Sequence, residues 1–122
     1  MTGWNKRIGK QGEDTAARLL AERGYRILAR NVRTPAGELD LVTALGDFTV
    51  LVEVKARHNR SHGLPEEAVT SAKKLRLLAA AQYYLQEHGL LDSPWRIDVA
   101  AIEYGPAGKI ERFEVIENAV TG

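Results

Sequence analysis

Apolar residues recur at helical spacing near the start of the chain and then give way to short runs suited to strands. Ile8, Ala16, Ala17, Leu19 and Leu20 lie on one stripe, which predicts a helix over residues 6–23, ended at Gly24. Glu13 stands three, four and seven residues before Ala16, Ala17 and Leu20, so it falls on the inward face. Asp14 stands four before Arg18, the spacing of a surface ion pair. Residues 25–33 read as a strand, and Pro35, Ala36 and Gly37 as a turn. Residues 38–45 and 48–57 read as a hairpin joined at Gly46-Asp47. Residues 58–63 are polar and basic, as in an exposed loop. A second helix runs to His88 and stops at Gly89. Pro65 at a first helical position favours an early start, and Thr70 or Ser71 as N-cap favours a later one. Residues 95–104 and 109–116 complete the set, separated by Gly-Pro-Ala-Gly. The predicted fold is α/β, with a central mixed five-stranded sheet flanked by helices and one domain over residues 1–122.

A two-residue hairpin loop fixes a register in which Leu45 faces Phe48, Leu41 faces Val52, Asp40 faces Glu53 and Glu38 faces Lys55. Alternation then places Leu39, Leu41, Val50, Val52 and Val54 on one face, and Glu38, Asp40, Glu53, Lys55 and Arg57 on the other. Two carboxylates directly opposed on adjacent strands repel, so something positive belongs between them. Lys55 is one candidate and Mg²⁺ the other. Magnesium binds through one or two carboxylates, waters and substrate phosphates, so Asp40 and Glu53 suit it, with the Val54 carbonyl as a further ligand. Lys55 is then placed to hold the attacking water or the phosphate, and Glu13 to complete the acidic end through water. The same letters also describe an ordinary salt-bridged sheet exterior, since Glu-x-Lys is common on strands.

Composition changes little in this picture. The chain has 122 residues, 44% of them apolar, which is enough for a real core. It has no cysteine, which excludes disulfides, thiolate zinc sites and a cysteine nucleophile and suits a reducing, cytoplasmic compartment. The first ten residues are polar and charged, so a secretory signal is not expected, and no apolar run approaches a membrane span. A balance of 17 basic against 16 acidic residues favours no partner, so a polyanion would need a local basic patch. No P-loop and no Gly-x-Ser-x-Gly elbow appears.

In order along the chain stand Gly9-Lys10-Gln11-Gly12-Glu13-Asp14, Gly24-Tyr25-Arg26-Ile27-Leu28, Asn31-Val32-Arg33, Gly37-Glu38-Leu39-Asp40-Leu41-Val42, Val52-Glu53-Val54-Lys55-Ala56-Arg57 and Arg96-Ile97-Asp98-Val99. Together they resemble the uncharacterised bacterial family typified by YraN, within the restriction-endonuclease-like (PD-(D/E)xK) nuclease superfamily. The arrangement is similar to that of archaeal Holliday-junction resolvases. The resemblance implies Asp40 and Glu53 as metal ligands, Lys55 as the catalytic lysine and Glu13 as an accessory acid. Leu39 stands where the superfamily's proline precedes the first aspartate. The activity implied is a Mg²⁺-dependent endonuclease, with Mn²⁺ as a substitute, hydrolysing DNA phosphodiesters, branched or structured DNA included. Action on a two-fold junction would favour a homodimer. Two other readings stay open: a nucleic-acid-binding module that keeps the fold without turnover, and a protein-binding adaptor.

Arg57, His58, Arg60 and His62 crowd the end of the third strand, and Lys73, Lys74 and Arg76 begin the next helix. Arg57, Arg60, Lys73 and Lys74 are the expected phosphate contacts, weighed against a solvated charged face; Lys6, Arg7 and Lys10 form a weaker group. His58 and His62 lack a third ligand and are expected to be exposed. One of Tyr83 and Tyr84 is expected in the core, and Asp98 is expected to be structural.

Overall fold

The computed structural model describes residues 3–61 and 63–120, with side chains from Gly9 onward. The side chains of Lys6, Arg7 and Ile8, and all of His62, lie outside the described residues.

Helix α1 spans Gly3–Glu22 and ends as the glycine signal requires. Gly24 takes φ +95°, its N–H donates to Ala21 O at 3.1 Å, and the Tyr25 N–H donates to Leu20 O at 3.1 Å. Strands β1 (Arg26–Thr34), β2 (Gly37–Leu45) and β3 (Phe48–Arg57) follow as an antiparallel meander. Both helix-start signals after it are used. Pro65 opens a separate 3-10 turn, Pro65–Ala68, and α2 (Ser71–Glu87) begins at Thr70, whose hydroxyl accepts the Lys73 N–H at 3.3 Å. Strands β4 (Trp95–Tyr104) and β5 (Ile110–Val120) complete the chain's sheet, β5 running four residues beyond the expected end.

The sheet order is β1-β2-β3-β4-β5, antiparallel except for the β3–β4 pair. A parallel pair needs a crossover, and the 3-10 turn with α2 supplies it. The five-stranded mixed sheet flanked by helices is the expected architecture. No helix among the described residues is long and apolar enough to cross a membrane.

The core is double. Ala16 and Leu20 of α1 pack on Leu41, Val50, Val52, Val54 and Ile102, while Leu77, Ala81 and Leu85 of α2 pack on Leu39, Val42, Leu51, Ile97 and Val99. The face carrying Glu53 and Lys55 is therefore roofed by α2 and is not a solvated exterior. The hairpin register is as counted from Leu45–Phe48 to Leu41–Val52, where the regular ladder stops. Leu39 is a correction: it packs with the α2-side cluster, across the sheet from Leu41. Simple alternation breaks at Asp40, whose side chain, rather than its backbone, meets β3.

Candidate active site

At the point where the β2–β3 ladder ends, the Val54 N–H donates to Asp40 Oδ2 at 2.8 Å. The half-buried carboxylate thus takes the place of a ladder carbonyl and is fixed in the plane of the sheet. Glu53 precedes Val54 on β3, and its side chain is only 13% exposed. It comes within hydrogen-bonding reach of Asp40 on one side, and its Oε2 lies 3.4 Å from Lys55 Nζ on the other. Burial first, and then the Asp40 charge and hydrogen bond, push the Glu53 carboxyl up to about 8, against the opposing pull of Lys55. A carboxyl held that high keeps its proton at neutral pH when no metal is bound.

Glu13 approaches from α1. Gly12 before it is buried, and a Cβ there would stand 2.9 Å from Ala56 Cβ, so only glycine lets α1 lie this close to β3. Burial and then the Asp40 charge raise the Glu13 carboxyl above its ordinary value, while a hydrogen bond with the Asn31 side chain opposes them. Asn31 holds the left-handed φ of +52° inside β1. It sits in one of the motifs that carry the resemblance, yet a strand pattern gives no sign that an asparagine will leave β geometry to meet a helix. Asp14 pairs with Arg30 and with Lys10 at 3.7 Å rather than with Arg18, which pairs with Glu22 at 3.4 Å.

Among the described residues no three His, Cys, Asp or Glu side chains form a closed metal cage. The donors present are two carboxylates in contact, which suits a hard cation that keeps waters and takes its remaining ligands from a phosphate. Mg²⁺ and Mn²⁺ fit that donor set, whereas a structural zinc, which wants four protein ligands, does not. Val54 enters through its N–H, and its side chain belongs to the α1-side core.

Glu53 and Lys55 open into a cavity of about 190 Å³, shared with Gly37, Glu38, Lys73, Arg76 and Leu77. A larger depression of about 470 Å³ on α1, lined by Lys10, Gln11, Asp14, Thr15 and Arg18, holds no such acid pair. Lys73 therefore reaches the site; Lys74 is exposed and outside the cavity, and Arg57 is half-buried at the end of β3 without an ion pair among the described residues. Arg60, expected to contact phosphate, instead forks onto Glu103 at 2.6 and 3.0 Å. It joins a network in which Arg112 grips Glu66 at 2.6 and 3.0 Å and Glu103 at 2.9 Å. His58 is half-buried and not exposed: it stacks on Tyr104 with ring centroids 5.0 Å apart. Tyr84 is the tyrosine packed against the core, and Tyr83 is exposed. Asp98 is fully buried, accepting the Arg96 Nε at 3.1 Å and the Asn118 N–H at 2.9 Å, a structural role at the β4–β5 bulge.

The chain is similar over nearly its whole length to other bacterial proteins. It is 47% identical over 115 residues to a UPF0102 protein of Symbiobacterium thermophilum, covering 94% of this chain and 97% of that one. A UPF0102 protein of Pelotomaculum thermopropionicum is 44% identical over 119 residues, covering 98% and 99%. One from Roseiflexus castenholzii is 46% identical over 121 residues, covering 98% of each. Residues 12–102, which run from Gly12 to Ile102 near the end of β4 and include all four candidate site residues, match the model of the uncharacterised protein family UPF0102. The chain belongs to that family, the one typified by YraN.

Proposed function

We propose that this protein is a Mg²⁺-dependent endonuclease that hydrolyses DNA phosphodiesters at the Asp40–Glu53–Lys55 site. The observation that carries this reading is the contact of two carboxyl groups, one strongly buried, with Lys55 3.4 Å from Glu53. An arrangement with so little to recommend it for stability alone calls for a cation and for work to do.

Asp40 and Glu53 would hold the metal, with the Val54 carbonyl as a third ligand. A bound Mg²⁺ or Mn²⁺ would neutralise charge developing on the phosphate and lower the pKa of its water. Lys55 donates to the phosphate oxygen or to the attacking water and so places the nucleophile in line. Water adds to phosphorus and gives up a proton to solvent, the P–O ester bond breaks, and the departing oxygen takes a proton from solvent. Glu13, held by Asn31, orders water at the acidic end. The absence of cysteine suits work in the cytoplasm.

The test pairs cleavage with binding. Purified protein is incubated with linear, nicked and four-way-junction DNA in Mg²⁺ or Mn²⁺, beside Asp40→Ala. Metal-dependent cleavage lost in Asp40→Ala is the expected result, and cleavage that survives in that variant overturns the site. Binding without cleavage under every metal turns the reading to a binding module, and neither binding nor cleavage turns it to an adaptor.

A further inference from the structure

Cations are unevenly committed in this molecule. Arg18, Arg30, Arg33, Arg60, Arg96 and Arg112 each have a carboxylate partner. Lys73 and Arg76 have none among the described residues, and both line the cavity that opens on Glu53. They stand three apart on α2, so their side chains rise from one helix face about 5–6 Å apart at Cβ, where like charges repel. The acids sharing the cavity are already answered: Glu38 by Arg33 at 3.1 Å and Glu53 by Lys55 at 3.4 Å. What remains is surplus positive charge on the α2 wall of the slot that Glu53 and Lys55 also line.

The slot's size narrows the ligand. A volume of about 190 Å³ is below the range of about 300–1,000 Å³ typical of sites that enclose a free cofactor or nucleotide. It has room for one phosphate group of a longer strand that continues into solvent at both ends. At the start of α2 the Lys73 N–H is already answered by the Thr70 hydroxyl. Leu77, the next residue on α2, is buried in the core beneath and fixes the height of the wall.

We infer that Lys73 and Arg76 form a phosphate subsite that grips the DNA backbone next to the bond presented to Glu53 and Lys55. This rests on the nuclease reading for what happens at the neighbouring phosphate, but the grip itself is separable from cleavage. Phosphate contacts of this kind set the register of a strand and carry no sequence information. The subsite therefore positions any strand whose backbone can enter the slot.

The experiment measures binding with chemistry switched off. Anisotropy of dye-labelled single-stranded, duplex and four-way-junction DNA is followed in EDTA from about 50 to 200 mM salt. Wild type is compared with Lys73→Gln, Arg76→Gln, Arg76→Lys and the turn variant Lys109→Gln. Each glutamine variant on α2 is expected to weaken binding about 3–10-fold and to lower the slope of log affinity against log salt by about 0.7–0.9. Arg76→Lys is expected to restore the slope, which separates lost charge from lost fold, and Lys109→Gln to match wild type. A wild-type slope in both Lys73→Gln and Arg76→Gln overturns the subsite even if the protein cleaves DNA. Lowered slopes in a protein that never cleaves leave the subsite standing and overturn the nuclease reading alone.

Discussion

Asp40 Oδ2 accepts the Val54 N–H at 2.8 Å, so the first proposed metal ligand also closes a gap in the sheet. Asp40→Ala removes both functions and leaves a buried N–H unanswered, which costs about 1–3 kcal/mol. Asp40→Asn keeps an acceptor oxygen and is expected to lose well under half of that in urea denaturation. Both variants are expected to lose metal-dependent cleavage by about 100-fold or more. An Asn variant as active as wild type would separate the carboxylate from the chemistry.

Glu53 gives a pH dependence with a definite sign. Its folded carboxyl titrates near 8 against an ordinary 4.5, so the folded state holds a proton that the unfolded chain releases. That contribution to stability is complete below about pH 4.5 and is lost as pH rises through 8. Without metal, the urea midpoint is expected to fall from pH 5 to 8 by an amount equivalent to at most about 4 kcal/mol. Glu53→Gln should flatten this fall, and Mg²⁺ or Mn²⁺ should offset it in wild type by binding the ionised pair. Equal pH slopes in wild type and Glu53→Gln, both measured without metal, would contradict the buried acid pair.

Gly12 sets the distance from α1 to β3, because an added Cβ meets Ala56 Cβ at 2.9 Å. Alanine would gain about 1 kcal/mol of helix propensity, yet the overpacking is expected to cost more, about 1–3 kcal/mol. Both colliding atoms are bonded directly to backbone, so α1 itself must move, and Glu13 with it. Gly12→Ala is therefore expected to be less stable and less active, with Ala56→Gly restoring part of both. Additive effects in the double variant would place the strain elsewhere.

Arg112 joins β5 to the 3-10 turn through Glu66 and to β4 through Glu103. These pairings hold both carboxyls below their ordinary value: Arg112 does so first for Glu66, and Arg60 first for Glu103. The stabilisation is present above about pH 4.5 and is lost as pH falls through the lowered values. Arg112→Met is expected to cost about 1–3 kcal/mol at pH 7 and much less at pH 3.5. Hydrogen exchange should rise first in residues 63–68, while the metal-induced gain in stability stays at its wild-type size. Loss of that gain would tie the network to the site.

Much of the fold was legible because period and punctuation are local. The stripe of α1 ending at Gly24, the Gly46-Asp47 hairpin and the residue-by-residue pairing from Leu45 to Leu41 all follow from neighbours in sequence. Asp40, Glu53 and Lys55 could be placed together for the same reason, since a two-residue turn carries its register several residues outward. Past Leu41 the count no longer holds: the counted Asp40–Glu53 and Glu38–Lys55 backbone pairs are not in the ladder, Leu39 turns to the α2 side, and the Asp40 side chain replaces a backbone bond.

The sequence by itself determined the elements, their order and the opposed acids, because these depend on spacing along one or two adjacent strands. Only the tertiary structure decided the environment of those acids. Roofing by α2 makes Glu53 a buried acid and not a surface one. The close approach of α1 over Gly12 brings Glu13 near Asp40, and the left-handed turn at Asn31 lets β1 meet that glutamate. The same packing draws Arg60 onto Glu103 and leaves Lys73 and Arg76 facing the slot. Burial and charge pairing depend on residues far apart in the chain, so no window of sequence contains them.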